Sequence, residues 1–321
     1  MPEELEKKKS FGEKLQSVNR SILYLILFVV VSVPLVVTKF LNVQLRCKPE
    51  QYTKDTYVLL RNLGPNDTII IDSGFTNSSR GENGGQLEAL LRMCMRQKVK
   101  FVLFSSVDPQ SPQIARDFIR KLNKERRAKG QDICRRWDDY VEMGFFSDSP
   151  TMLQTMGEDL SRAWANRKVK DQQGVSRDVF SSPPMKNVKK IEDFKAYVTI
   201  AASGIMPTIV PRVGAKVPVI SMITGVMFPE QYNYYKSGQL KGLVNGLSGC
   251  VELETLMEKG IDAKGEVGGK QLPMQAEPFP GEQNFKRGMA YYLALHVALG
   301  VLILAVVIGN IGMFMTKRSS R

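Results

Sequence analysis

Residues 68–105 read TIIIDSGFTNSSRGENGGQLEALLRMCMRQKVKFVLFS. Thr68-Ile69-Ile70-Ile71 opens the stretch as a β-branched apolar run, the pattern of a strand buried on both faces of a parallel sheet. A loop rich in Gly, Ser and Asn follows, then an amphipathic helix over Gln86–Gln97, then a second apolar run, Lys100–Ser105. Strand, helix and strand in one short stretch make a βαβ unit, whose crossover is almost always right-handed.

The alternation continues outward. Ser111–Lys129 predicts a helix with Ile114, Phe118 and Leu122 on one side and a dense basic face on the other. Tyr140–Phe146 reads as a third strand and residues 150–166 as its helix. Residues 167–190 lose periodicity and carry Gly174, Pro183 and Pro184, so they read as an exposed excursion. Three further strands are expected at Ala196–Ala202, Val217–Thr224 and Leu240–Val244. Their helices fall near 205–214, 229–236 and 248–259. Six such repeats predict an α/β fold, Rossmann-like or flavodoxin-like, with a mostly parallel sheet covered by helices on both faces.

This domain lies between two apolar segments. Residues 21–38 (SILYLILFVVVSVPLVVT) carry no charge over eighteen residues, long enough to cross the hydrocarbon core. A basic segment ahead of an apolar run is also the layout of a cleaved signal. Here Val36, Val37, Thr38, Lys39 and Phe40 offer no small-x-small cleavage site, which favours an uncleaved anchor. Pro34 should kink that helix. The second segment, residues 290–316, is longer. Placed at about 100° per residue, its Ala290, Ala294, Ala298, Ala305, Gly309 and Gly312 fall on one side. Small residues let helix backbones approach closely in lipid, so this side is expected to be a helix-packing face, against the first span or against a neighbouring copy. His296 and Asn310 point away from it.

The predicted organisation is therefore a tail (1–20), a first span (21–38), a soluble domain (39–289), a second span (290–316) and a basic tail (317–321). Formal charge is +13. Setting both tails aside leaves 37 basic and 28 acidic residues, about +9, a surface attractive to anionic headgroups, acidic proteins or nucleic acid. Eight Lys/Arg lie in the two tails, at 7, 8, 9, 14, 20, 317, 318 and 321. Five lie on the domain side near the spans, at 39, 46, 48, 286 and 287. The excess favours an integral membrane protein with both termini in the cytoplasm and the domain outside.

In parallel α/β sheets, ligands bind where loops and helix amino termini converge at the strand carboxyl ends. Those ends nominate Asp72, Ser73, Ser105, Asp108, Ser203, Thr224 and Asn245 as ligand-binding candidates. Strand-to-helix turns need the same residue types as caps, which is the competing explanation. The only histidine, His296, sits in the second span. Ser-His-Asp, Cys-His and HExxH chemistry therefore cannot be built in the domain. Neither a GxGxxG loop nor a P-loop is present, and Gly242, Gly246 and Gly249 match no phosphate fingerprint. Cys47, Cys94, Cys134 and Cys250 are far apart and read as free thiols. No cofactor and no metal are expected. Carboxylates such as Asp72, Asp108, Glu158 and Asp159 could still act as acid, base or ligand. The basic patch around Arg116, Arg120, Lys121, Lys124, Arg126, Arg127, Lys129, Arg135 and Arg136 lacks interleaved aromatics, which argues against nucleic acid.

Ser237-Gly238-Gln239-Leu240-Lys241-Gly242-Leu243 through Gly249, with Glu252 and Glu254, resembles a segment in a group of prokaryotic two-span membrane proteins. Met156-Gly157-Glu158-Asp159 and the terminal span are similar to that group as well. The resemblance implies the same anchor, domain, anchor plan and carries no activity or site residue with it. Three functions follow as expectations. The first is a non-enzymatic scaffold subunit in the lipid bilayer, assembling with copies of itself or with other membrane proteins. The second is a small-ligand-binding module serving a transporter or sensor. The third is a carboxylate-dependent enzyme.

Overall fold

The structure, a computed structural model, describes residues 17, 19–41, 47–269, 274–279 and 287–319, with side chains at 20, 38, 39, 41, 274, 287–290, 318 and 319 left out. Two compact units emerge. One is Arg46–Gly288; the other combines Met1–Leu45 with Met289–Arg321.

In chain order, α1 (Arg20–Leu41) and α2 (Gln51–Arg61) precede β1 (Thr68–Gly74). Then come α3 (Asn83–Gln97), β2 (Lys100–Ser105), α4 (Ser111–Ala128), β3 (Tyr140–Phe145) and α5 (Ser149–Glu158). The second half holds β4 (Tyr197–Ala201), α6 (Met206–Val213), β5 (Val219–Ile223), α7 (Phe228–Lys236), β6 (Gly242–Asn245) and α8 (Gly246–Lys259). Helix α9 (Arg287–Ser319) is the last element.

All six strands pair in parallel, in the order β3-β2-β1-β4-β5-β6. This is the Rossmann-type order, with its topological switch between β1 and β4. Between the two arrangements the sequence left open, the order selects the Rossmann-like one.

The β-branched run explains why β1 is central. Ile69 and Ile71 enter one core with Leu87, Leu90, Phe118 and Leu253 from α3, α4 and α8. Ile70 enters a second core with Leu153, Ile209 and Trp164. Each isoleucine is fully buried, and such burial contributes about 1.5–3 kcal/mol per side chain.

Three local features differ from expectation. Residues 51–61, read as part of a polar approach, form α2, which lies against the edge strand β6. Its buried Tyr52, Thr53, Thr56, Tyr57 and Leu60 alternate at helical spacing, but two are threonines and two tyrosines, which weakens the apolar signal. The approach is close: a Cβ at Gly242 would overlap Thr56 Oγ1. Covering an edge strand in this way blocks pairing with other chains.

The helix expected over 150–166 stops at Glu158, because Asp159 is extended (φ −149°, ψ 103°). Its side chain instead caps the short turn Leu160–Ala163 by accepting from Arg162 N at 3.0 Å. Residues 167–190, expected as an exposed excursion, bury Val169, Val179, Met185 and Val188 in the second core. They hold a small antiparallel hairpin, Lys168–Lys170 with Ser176–Asp178. Isolated apolar residues among polar ones gave no period to read, so tertiary burial decides this segment.

In the other unit, Tyr291–Lys317 within α9 is long and apolar enough to cross a membrane, at 27 residues and mean hydropathy 2.5. Its length is about 40 Å at 1.5 Å per residue, against a hydrocarbon core of about 30 Å. Leu302, Ile303, Leu304, Val306 and Phe314 are exposed along it. The apolar part of α1, Ser21–Val37, is shorter.

Candidate functional site

At the carboxyl end of β1, Asp72 is completely buried. Its Oδ1 accepts from Ser106 N at 2.9 Å, and its Oδ2 accepts from the Ser106 hydroxyl and from the Tyr197 hydroxyl at 2.7 Å. Burial pushes the Asp72 carboxyl above the usual aspartate range, with the three donors opposing that shift. Burial, followed by the Asp72 charge, raises the Tyr197 phenol well above its ordinary value. The group ties β1 to the β2 turn and to β4, and its complete burial makes it an internal clasp between these elements.

The other candidates lie at several strand ends rather than in one pocket. Ser73 is buried on the opposite side of β1 from Asp72, and its Oγ has no partner among the described residues. Ser105 Oγ accepts from Val107 N at 3.3 Å and Asp108 N at 3.0 Å. Asp108 Oδ1 accepts from Gln110 N at 2.7 Å, shaping the turn into α4. Ser203 is exposed, and its carbonyl receives Ile205 N. Thr224 is buried, and its carbonyl receives Met227 N. Asn245 is half-buried; its carbonyl receives the Ser248 hydroxyl at 3.0 Å, while its Oδ1 has no partner among the described residues. Among the described residues, no group of three or more His, Cys, Asp and Glu side chains could hold a metal.

Sequence reasoning missed Gln86, which decides the shape of this edge. From the first turn of α3 its amide donates to the carbonyls of Ile223 (2.8 Å), Val244 (3.3 Å) and Gly246 (3.1 Å), and its Oε1 accepts from Asn83 at 3.0 Å. Glu82, just ahead, accepts from Gly225 N at 2.9 Å. It lies against Gly246, whose φ of +52° and lack of Cβ permit the approach. Thus the β1–α3 connection closes over the ends of β5 and β6. Gly84-Gly85 was the available signal, since a Cβ at Gly85 would overlap Cys250 Sγ of α8.

Space opens instead beyond β3. A cleft of about 400 Å³ is lined by Phe146, Ser147, Asp148, Thr151, Met152, Thr155, Arg162, Ala163 and Arg167. Arg167 stacks its guanidinium 3.9 Å from the Phe146 ring centroid. Burial lowers the Arg167 pKa, with no opposing charge among its causes. Among the described residues, neither Arg162 nor Arg167 has an ion pair.

The basic face of α4 is partly neutralised within the fold. Arg116 and Arg136 meet the buried Glu142, Arg120 meets Asp117, and Lys121 meets Glu88. In α9, Ala294 and Gly312 are buried, Ala298 and Gly309 half-buried, and Ala305 exposed; the Ala290 side chain lies outside the described residues. His296 and Asn310 are exposed, and His296 Nδ1 lies 2.8 Å from the Tyr292 carbonyl.

No protein family, curated protein or solved structure matches the chain.

Proposed function

We propose that the chain is a membrane-anchored, non-enzymatic subunit that crosses the bilayer twice and assembles with copies of itself or with other membrane proteins. Both termini are cytoplasmic in this reading, and the α/β domain is the interaction platform. The observation that carries it is the state of the small-residue face of α9. A Cβ at Gly309 would meet nothing within 4 Å, and Ala305 is exposed. At these two positions the protomer itself does not require a small residue, whereas a second helix approaching in lipid would; Ala294 and Gly312 on the same face are already buried within the protomer. In this reading helix α1 makes the second crossing: its apolar part, Ser21–Val37, spans about 26 Å, near the lower limit for the hydrocarbon core.

Replacing Gly309 with leucine tests this. In mild detergent the native mass of the variant should fall to smaller species, while far-UV circular dichroism of the domain stays unchanged. An unaltered native mass would reject the assembly face.

A further inference from the structure

The cleft beyond β3 holds two arginines, Arg162 and Arg167, that have no ion pair among the described residues. Arg167 comes from the segment after the Leu160–Ala163 turn, and its aliphatic and π surface is taken by Phe146. Stacking fixes the guanidinium plane and leaves its N–H rim for hydrogen bonds. Arg162 is exposed on the same cleft. A half-buried cation without a carboxylate has lost hydration and gained no charge in return. Arg92 and Arg177 are instead paired with carboxylates, Glu88 and Asp171.

The rest of the lining is also suited to an anion. The hydroxyls of Ser147 and Thr151 have no partner among the described residues, whereas Thr155 donates to the Thr151 carbonyl. Asp148 is the one carboxylate on the wall. Its Oδ1 accepts from Thr151 N at 3.3 Å, so it is engaged in capping α5. That engagement also means the helix end is already satisfied, and the case for a ligand rests on the arginines and the cleft. The volume exceeds what inorganic phosphate fills and falls in the range of small organic ligands. Phe146, Met152 and Ala163 add apolar surface for an organic portion.

We propose that this cleft binds a soluble organic monophosphate, with Arg162 and Arg167 holding the phosphate and the apolar wall taking the organic group. Guanidinium groups bind phosphate through paired, charge-assisted hydrogen bonds. The inference goes beyond the scaffold reading and stands without it, because its measurement does not depend on oligomeric state.

Calorimetric titration of the full chain in detergent would use inorganic phosphate, adenosine monophosphate, and phosphatidic acid in mixed micelles. The expected result is saturable adenosine monophosphate binding, tighter than inorganic phosphate, weakened tenfold or more by Arg167→Gln and also by Arg162→Gln. Because Arg162 is exposed, its variant should retain the wild-type melting temperature even if the Arg167 variant does not fold. Absence of adenosine monophosphate binding at millimolar concentration overturns the proposal. So does binding unchanged in the Arg162 variant, or binding to phosphatidic acid micelles alone.

Discussion

Replacing Asp72 separates a structural clasp from a ligand-facing carboxylate. Its Oδ1 faces the Ser106 backbone N–H, which can only donate, whereas both partners of Oδ2 are hydroxyls that can donate or accept. Asp72→Asn should therefore be tolerated, with its oxygen toward Ser106 N and its NH₂ toward the two hydroxyls. A cost within about 1 kcal/mol is expected, the size of one imperfect hydrogen bond. Asp72→Ala instead orphans the buried Ser106 N–H and Tyr197 hydroxyl. At about 1–3 kcal/mol for each unsatisfied group, the loss is about 2–6 kcal/mol, a large share of the roughly 5–15 kcal/mol that holds a domain folded.

Tryptophan fluorescence in denaturant titrations would measure this, since Trp164 is buried in the second core beside Phe104. The pH dependence adds a signed test. Because the folded pKa of Asp72 is raised, its contribution to stability is complete below the ordinary aspartate pKa and is lost as pH rises through the folded value. The stability difference between wild type and Asp72→Asn should thus shift against the wild type with rising pH. An alanine variant within about 0.5 kcal/mol of wild type, the range of ordinary surface substitutions, would refute the reasoning.

Gln86→Leu keeps the side-chain size but removes the donor shared by three buried carbonyls. It should destabilise the domain by about 1–3 kcal/mol, read as a lower denaturation midpoint with unchanged slope. Orientation can be read from thiol labelling, but Cys134 is buried and unsuitable, so a cysteine is best introduced at the exposed Ser203. With the domain outside, Ser203→Cys should react with an impermeant reagent in intact cells; labelling only after lysis reverses the assignment.

The apolar runs around Ile70, Val102 and Ile220 were legible because parallel strands buried on both faces must be apolar on both, whatever the rest of the fold does. The alternation of those runs with amphipathic helices likewise sufficed for the α/β class. The length and hydropathy of residues 291–317 follow from composition alone. Strand order was not legible, since the same succession of elements can wind into either doubly wound arrangement, and only packing of α3, α4 and α8 against Ile69 and Ile71 selects one. Nor could local sequence show that Asp72 meets Tyr197, 125 positions away, or that Gln86 reaches three carbonyls of β5 and the β6–α8 junction. The cleft belongs to the same class: Phe146 and Arg167 are ordinary residues of a strand end and an aperiodic segment until the helix break at Asp159 brings a guanidinium over a ring. Periodicity reports which side of an element is buried, because burial repeats with the backbone. What a buried polar group touches depends on elements distant in sequence, and that is decided only when the chain folds.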